Sequence, residues 1–184
     1  MTELHCYAAD NGRPLWRASE LENITRRLAD INVRYAHVEL PAAHLDELAD
    51  QDEVIEAFRQ PLDDLMQHDG FIGLDVSTVQ HGQPDQADLH RQFMTAHAHA
   101  GVEGHLMVEG HGAFFMRAGE DVYALHSTPG DFLRVPGGLR HWFDMGRSPG
   151  FRSIRFYDGA DALETVGDGR DMRGMFPPPQ ALAG

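Results

Sequence analysis

His97-Ala98-His99-Ala100-Gly101-Val102-Glu103, closed by Gly110, and a second stretch running from Gly130 through Pro136-Gly137-Gly138 to His141, decide the reading of this chain. On a β-strand, side chains two apart share a face, so His97 and His99 point the same way. Gly101 is where the strand can bend and bring Glu103 round as a further ligand. The Pro136-Gly137-Gly138 turn then delivers His141 from a separate strand. Gly110 and Gly130 fall where the chain must turn between strands. Three imidazoles and one carboxylate suit a divalent transition metal of the Fe, Ni, Mn or Co type. The chain has 12 histidines, so two of them at i, i+2 mean little alone. The glycines, the proline, Glu103 and His141 in register carry the reading.

Around this core the pattern is of short β segments separated by Gly, Asp and Pro. They run over Val102–Val108, Ala113–Ala118, Asp121–His126, Asp131–Val135, His141–Met145 and Phe151–Tyr157. Gly119-Glu120-Asp121 reads as a hairpin turn. Several short strands at this spacing predict a barrel or sandwich. Before them the chain reads as mostly helical. Ser19-Glu20-Leu21-Glu22 has the form of a capping box, followed by Leu21, Ile24, Leu28 and Ile31 at helical spacing, with Asn32 as the stop. A strand is expected over Val33–Val38. A second helix follows over Asp52–Gln67, with Val54, Ile55, Phe58, Leu62 and Leu65 on one face, and Pro61 should kink or split it. Phe71–Val79 reads as a strand. Asp85–Thr95 reads as a short helix burying Leu89 and Phe93. The expected organisation is one domain over 1–184: a helical layer with one or two strands (1–95), a metal-binding barrel core (96–158) and an irregular tail (159–184) ending in Pro177-Pro178-Pro179.

Bulk properties narrow the function. At 184 residues and 42% hydrophobic content, the chain can build a sizeable core. A net charge of −14 leaves no basic stripe for phosphates, so nucleic acid is not expected as a partner. Cys6 is the only cysteine, so no internal disulfide framework exists. The first ten residues lack a basic region followed by an apolar run, and no apolar stretch is long enough for a bilayer. These features point to a cytoplasmic protein with a small-molecule substrate and no membrane partner, as monomer or homodimer. Three His and one Glu leave two positions open on a six-coordinate metal. Open positions favour catalysis on a chelating anion over a closed structural site.

The two-part motif resembles that of the cupins, which implies a mainly β double-stranded β-helix (jelly-roll) barrel with the N-terminal helices packed outside. Two positions depart from the usual cupin motifs: Arg91 and Met145 stand where Gly and Asn are common. The wider sequence is similar to acireductone dioxygenase. The likeness is carried by Val108-Glu109-Gly110, Asp121-Val122-Tyr123, Gly130-Asp131-Phe132-Leu133 and, most sharply, His141-Trp142-Phe143-Asp144-Met145-Gly146. It continues through Ser153-Ile154-Arg155-Phe156 and, more loosely, Leu74-Asp75-Val76. This resemblance implies a methionine-salvage enzyme that uses one Fe(II) or Ni(II) per chain, with O2 as co-substrate. His97, His99, Glu103 and His141 would be the ligands. Arg155 would steady the substrate anion, and Phe93 and Phe143 would wall its pocket.

Two departures from the family lie on the substrate side. The family commonly reads Glu-Val-Arg where this chain has Glu103-Gly104-His105, so a guanidinium gives way to an imidazole that can still donate a hydrogen bond. His105 is therefore a candidate catalytic residue. A family tryptophan after the last strand is also missing; the stretch here is Asp158-Gly159-Ala160-Asp161-Ala162-Leu163. These differences keep open a relative acting on another enediol-like or chelating anion. A metal-dependent sensor is the non-enzymatic alternative.

Overall fold

The computed structural model describes residues 1–178 apart from Ser148 and Asp161. The last proline of the Pro177-Pro178-Pro179 run and residues 180–184 lie outside the described residues. Strands β1 (Glu3–Ala8) and β2 (Pro14–Ala18) come first, then helix α1 (Leu21–Ala29) and β3 (Arg34–His37). Helices α2 (Gln51–Ala57) and α3 (Arg59–Asp69) precede β4 (Gly73–Val79) and α4 (Gln86–Phe93). The strands β5 (Thr95–His99), β6 (Glu103–Gly110), β7 (Gly112–Ala118) and β8 (Asp121–Ser127) follow. The chain continues through β9 (Asp131–Val135), β10 (Arg140–Asp144), β11 (Phe151–Tyr157) and β12 (Thr165–Asp171).

These strands form two antiparallel sheets, one of seven strands in the order β12-β5-β10-β7-β8-β1-β2 and one of five in the order β3-β9-β6-β11-β4. The two sheets face each other as a mainly β cupin barrel. Each face is apolar for a visible reason. On the outer side of the five-stranded sheet, Leu106, Phe132, Ile154 and Phe156 pack against Val54 of α2, Leu62 and Leu65 of α3, and Phe58 at the junction between them. On the outer side of the seven-stranded sheet, Tyr7, Phe115 and Trp142 are covered by Met172 and Phe176. Helix α1 closes one flank of the interior, setting Ile24 and Leu28 against Leu4, Leu125, Leu133 and Val135. Helix α4 flanks the other, with Leu89 and Phe93 packed on Met107, Met145 and Phe151.

Several expectations need correction. The first 95 residues hold four strands rather than one or two, since β1 and β2 extend the seven-stranded sheet and β3 and β4 are the edges of the other, while α2 and α3 pack outside the barrel as expected. The barrel is thus not confined to 96–158. The tail is not irregular throughout either, since β12 pairs with β5. Ser19 does not cap α1: the position before the helix is Glu20, without a capping bond, and Leu21 is 52% exposed. The reciprocal capping box stands at α2, where Asp50 Oδ1 accepts from the Glu53 amide at 3.0 Å and Glu53 Oε2 from the Asp50 amide at 2.9 Å. Other expectations agree. The long helix splits at Phe58, so Pro61 sits in the first turn of α3, where its missing N–H leaves no ladder bond unmade. Asn32 follows α1 with φ 60°, a left-handed stop that asparagine tolerates. Among the described residues, no helix is long and apolar enough to cross a membrane.

Gly110, which closes the first motif half, has φ +74°, and a Cβ there would overlap the Gly150 carbonyl oxygen. Gly82 has the same φ of +74° but open space around it. Gly110→Ala should therefore lower stability by about 2–4 kcal/mol, and Gly82→Ala by about 1 kcal/mol, as read by denaturant unfolding. Equal losses would contradict the close approach of the two chain segments.

Candidate metal centre

Strands from both sheets build the centre. His97 and His141 are directly opposed across β5 and β10. His99, two residues on, shares His97's face. Glu103 opens β6 in the other sheet, so its carboxylate meets the imidazoles across the barrel. One nitrogen from each of His97, His99 and His141 falls within a single 4.8 Å group that could hold a metal ion. Two backbone carbonyls orient the rings. His97 Nδ1 lies 2.8 Å from the Thr95 carbonyl and His141 Nδ1 lies 2.9 Å from that of Leu139. A carbonyl only accepts, so Nδ1 carries a proton in both rings, and in the neutral imidazole Nε2 keeps its lone pair for the centre.

The turn holding these ligands is locked by segments far away in sequence. The Gly138 amide donates to the His99 carbonyl at 2.8 Å, the Gly101 amide to that of Ala162 at 3.0 Å, and the Ala100 amide to that of Glu164 at 3.2 Å. A Cβ on Gly101 would stand 2.5 Å from the Ala162 Cβ and 2.6 Å from Asp158 Oδ1. Gly101 is thus needed for close approach of the 158–164 segment, beyond any bend in the strand.

Glu103 is 2% exposed on its side chain, and neither carboxylate oxygen has an aligned hydrogen bond. Three imidazole nitrogens approach it instead. His141 Nε2 is 2.8 Å from Oε1, while His105 Nε2 at 3.1 Å and His99 Nε2 at 3.5 Å approach Oε2. Burial by itself would raise the Glu103 pKa, but the charges of His105 and His141 outweigh it and hold the carboxyl well below its usual range. For His141, Glu103 outweighs the opposing effect of burial and pushes the pKa up. Burial pushes His97 and His99 down, which favours the neutral, ligating form. A buried carboxylate ringed by three imidazole nitrogens fits a divalent cation, which lets the rings be neutral and the carboxylate ionised together. The sequence-expected ligands are therefore gathered, with the three histidines as the compact set and Glu103 beside them.

The remaining expected residues line the adjoining cavity of about 430 Å³. His105 stands directly opposite Arg155 across β6 and β11. Arg155 lines the cavity, but its fork is already engaged. Nε donates to Asp75 Oδ1 and Oδ2 at 3.2 and 3.3 Å, and Nη2 donates to Oδ2 at 2.7 Å. Asp75 thus fixes the guanidinium, a role that its place in the Leu74-Asp75-Val76 run does not signal in the sequence. Phe93 and Phe143 do wall the cavity, with ring centroids 6.1 Å apart. Phe151, 5.0 Å from Phe143, and Met107 complete that wall and were not foreseen. Gly104 has a packing reason: a Cβ there would lie 2.8 Å from Phe71 Cζ.

Comparison with known proteins agrees with this geometry. Residues 10–163 match the ARD/ARD' family. An acireductone dioxygenase of Pseudomonas syringae pv. tomato is 35% identical over 159 residues, covering 86% of this chain and 87% of that one. One from Pseudomonas aeruginosa (strain UCBPP-PA14) is 34% identical over 165 residues, covering 90% and 91%. The solved structure of acireductone dioxygenase from Bacillus anthracis, with a cadmium ion in its active centre, superimposes with a TM-score of 0.78 at 20% identity. That match covers 91% of this chain and 98% of the other. By sequence and by fold, the chain belongs to the ARD/ARD' family of metal-dependent dioxygenases.

Proposed function

We propose that the chain is an acireductone dioxygenase of methionine salvage, oxidising 1,2-dihydroxy-3-keto-5-methylthiopentene with O2. With Fe(II) the products are formate and 2-keto-4-methylthiobutyrate. With Ni(II) they are formate, carbon monoxide and 3-methylthiopropionate. Both sets account for every atom of substrate and O2. The observation that carries the reading is the grading of one cavity: histidines and Glu103 at one place, Arg155 and His105 on the wall, and Phe93, Phe143, Phe151 and Met107 beyond. That order matches a small molecule with a chelating, anionic head and an apolar tail.

His97, His99, His141 and Glu103 would hold the metal through Nε2 atoms and a carboxylate oxygen. When bound, the metal supplies a Lewis-acid template that favours the deprotonated enediol and brings it to O2. The chain's own residues supply the rest. The Thr95 and Leu139 carbonyls keep two imidazoles in the ligating tautomer. Arg155, held by Asp75, presents positive charge toward the substrate anion. His105, through Nε2, either donates to the Glu103 carboxylate or hands that proton toward a substrate oxygen. The aromatic wall excludes water around the tail.

Metal-loaded protein should consume O2 and bleach the acireductone absorbance together; a full metal site with no acceleration over the uncatalysed rate would sink the reading. A second reading, a relative working on another enediol or chelating anion, is favoured by His105, since its Nε2 is turned to Glu103 at 3.1 Å. His105→Arg separates the two. On the first reading it should lower KM or raise kcat for acireductone several-fold, because a permanent cation returns to the wall. A loss of activity would favour a pocket built around a different anion.

A further inference from the structure

Gly112 opens β7 and is buried, yet nothing in its backbone asks for glycine. It is not among the glycines with positive φ, and it pairs with Ser127 of β8 in regular register. Strand alternation sets it on the same face as Phe114, which lines the cavity. What requires glycine here is a side chain. A Cβ at position 112 would overlap Phe143 Cζ and stand 2.7 and 2.9 Å from Cε2 and Cε1 of the same ring. All three nearest atoms belong to Phe143, so the tip of that ring rests in the space a β-carbon would take. Glycine inside a strand often marks such a close approach.

Phe143 separates Gly112 from the cavity, since the ring lines it and Gly112 does not. Its other neighbours leave the ring little room. Phe114 is its direct partner across β7 and β10. The rings of Phe151 and Phe93 have centroids 5.0 and 6.1 Å away, the separations of aromatic groups already in contact. A ring pushed off β7 therefore moves into the open cavity, because the packed side chains around it cannot absorb the displacement. Whether position 112 carries a side chain thus sets the depth of the cavity at its apolar end.

We propose that Gly112 is a positioning residue for substrate specificity: by leaving space behind the Phe143 ring, it sets the length of tail that the cavity accepts. This rests on the acireductone reading above, which puts the thioether tail against this aromatic wall, and it adds the residue that fixes where the wall stands.

The test is anaerobic titration of the metal-loaded enzyme, where turnover is blocked, with two acireductones that share one head. One is the methylthio compound and the other has its tail cut to a methyl group. The native protein should bind the methylthio compound about tenfold more tightly or better. In Gly112→Ala that preference should fall about tenfold, through weaker binding of the methylthio compound alone. In a Phe143→Leu background, where no ring tip remains, the same Gly112→Ala change should leave the ratio unaltered. A native ratio in Gly112→Ala, equal weakening of both compounds, or an effect that persists in the Phe143→Leu background overturns the inference and leaves the acireductone reading standing. Should Gly112→Ala be too unstable to titrate, Phe143→Leu and the Gly112→Ala/Phe143→Leu double variant decide. Equal tail preference in the two supports the inference, and a weaker preference in the double variant overturns it. A native protein that binds neither compound defeats the acireductone reading, and this inference with it.

Discussion

The buried carboxylate of Glu103 is the constraint on which the rest of the structure depends. An ionised group with no aligned hydrogen bond is costly in a protein interior unless charge of the opposite sign stands against it. Here that charge comes from imidazoles, and their ordinary pKa makes them poor permanent cations. Burial disfavours the charged forms of His97 and His99, so the carboxylate draws on His141 and His105. A divalent cation removes this conflict, because it lets the imidazoles be neutral and the carboxylate ionised together. The barrel is arranged to impose the encounter. One sheet brings His97, His99 and His141, the other brings Glu103, and the packing on both outer faces prevents the sheets from separating.

The centre was legible in the sequence because its geometry is local. His97 and His99 share a face through strand alternation, and Gly130, Pro136 and Gly138 mark the return that sets His141 opposite His97. Elements without such local signals were missed. β1 and β2 are short and carry mixed polar residues, and they are held by pairing with β8 and each other. β12 reads Thr-Val-Gly-Asp-Gly-Arg-Asp, a poor strand sequence, and it exists by pairing to β5 across a register shift between Val166 and Arg170. The capping box was placed one helix too early. Ser19 and Asp50 each stand three residues before a Glu, but α1 begins after Glu20, so Ser19 is not at the cap position whereas Asp50 is.

The cavity shows the same division. Phe93, Phe143, Arg155 and His105 could be named from the family's pattern, whereas Asp75 and Phe151 required the β4–β11 register. That register turns a list of residues into a wall graded from the charged Asp75–Arg155 rung to Phe151. Gly104 and Phe71 lie on the opposite face of β6, in the core under α2 and α3. The glycine leaves room for the ring, so the departure from the family's Glu-Val-Arg pattern is a packing change as well as a loss of charge.

The most direct measurement is anaerobic titration of metal-free protein with Fe(II) or Ni(II), followed by X-ray absorption at the metal edge. The account predicts one metal per chain with imidazole and carboxylate ligands, and loss of stoichiometric binding in His97→Ala. Stoichiometric binding with an unchanged ligand shell in His97→Ala, or a shell without imidazole in the native protein, would contradict it.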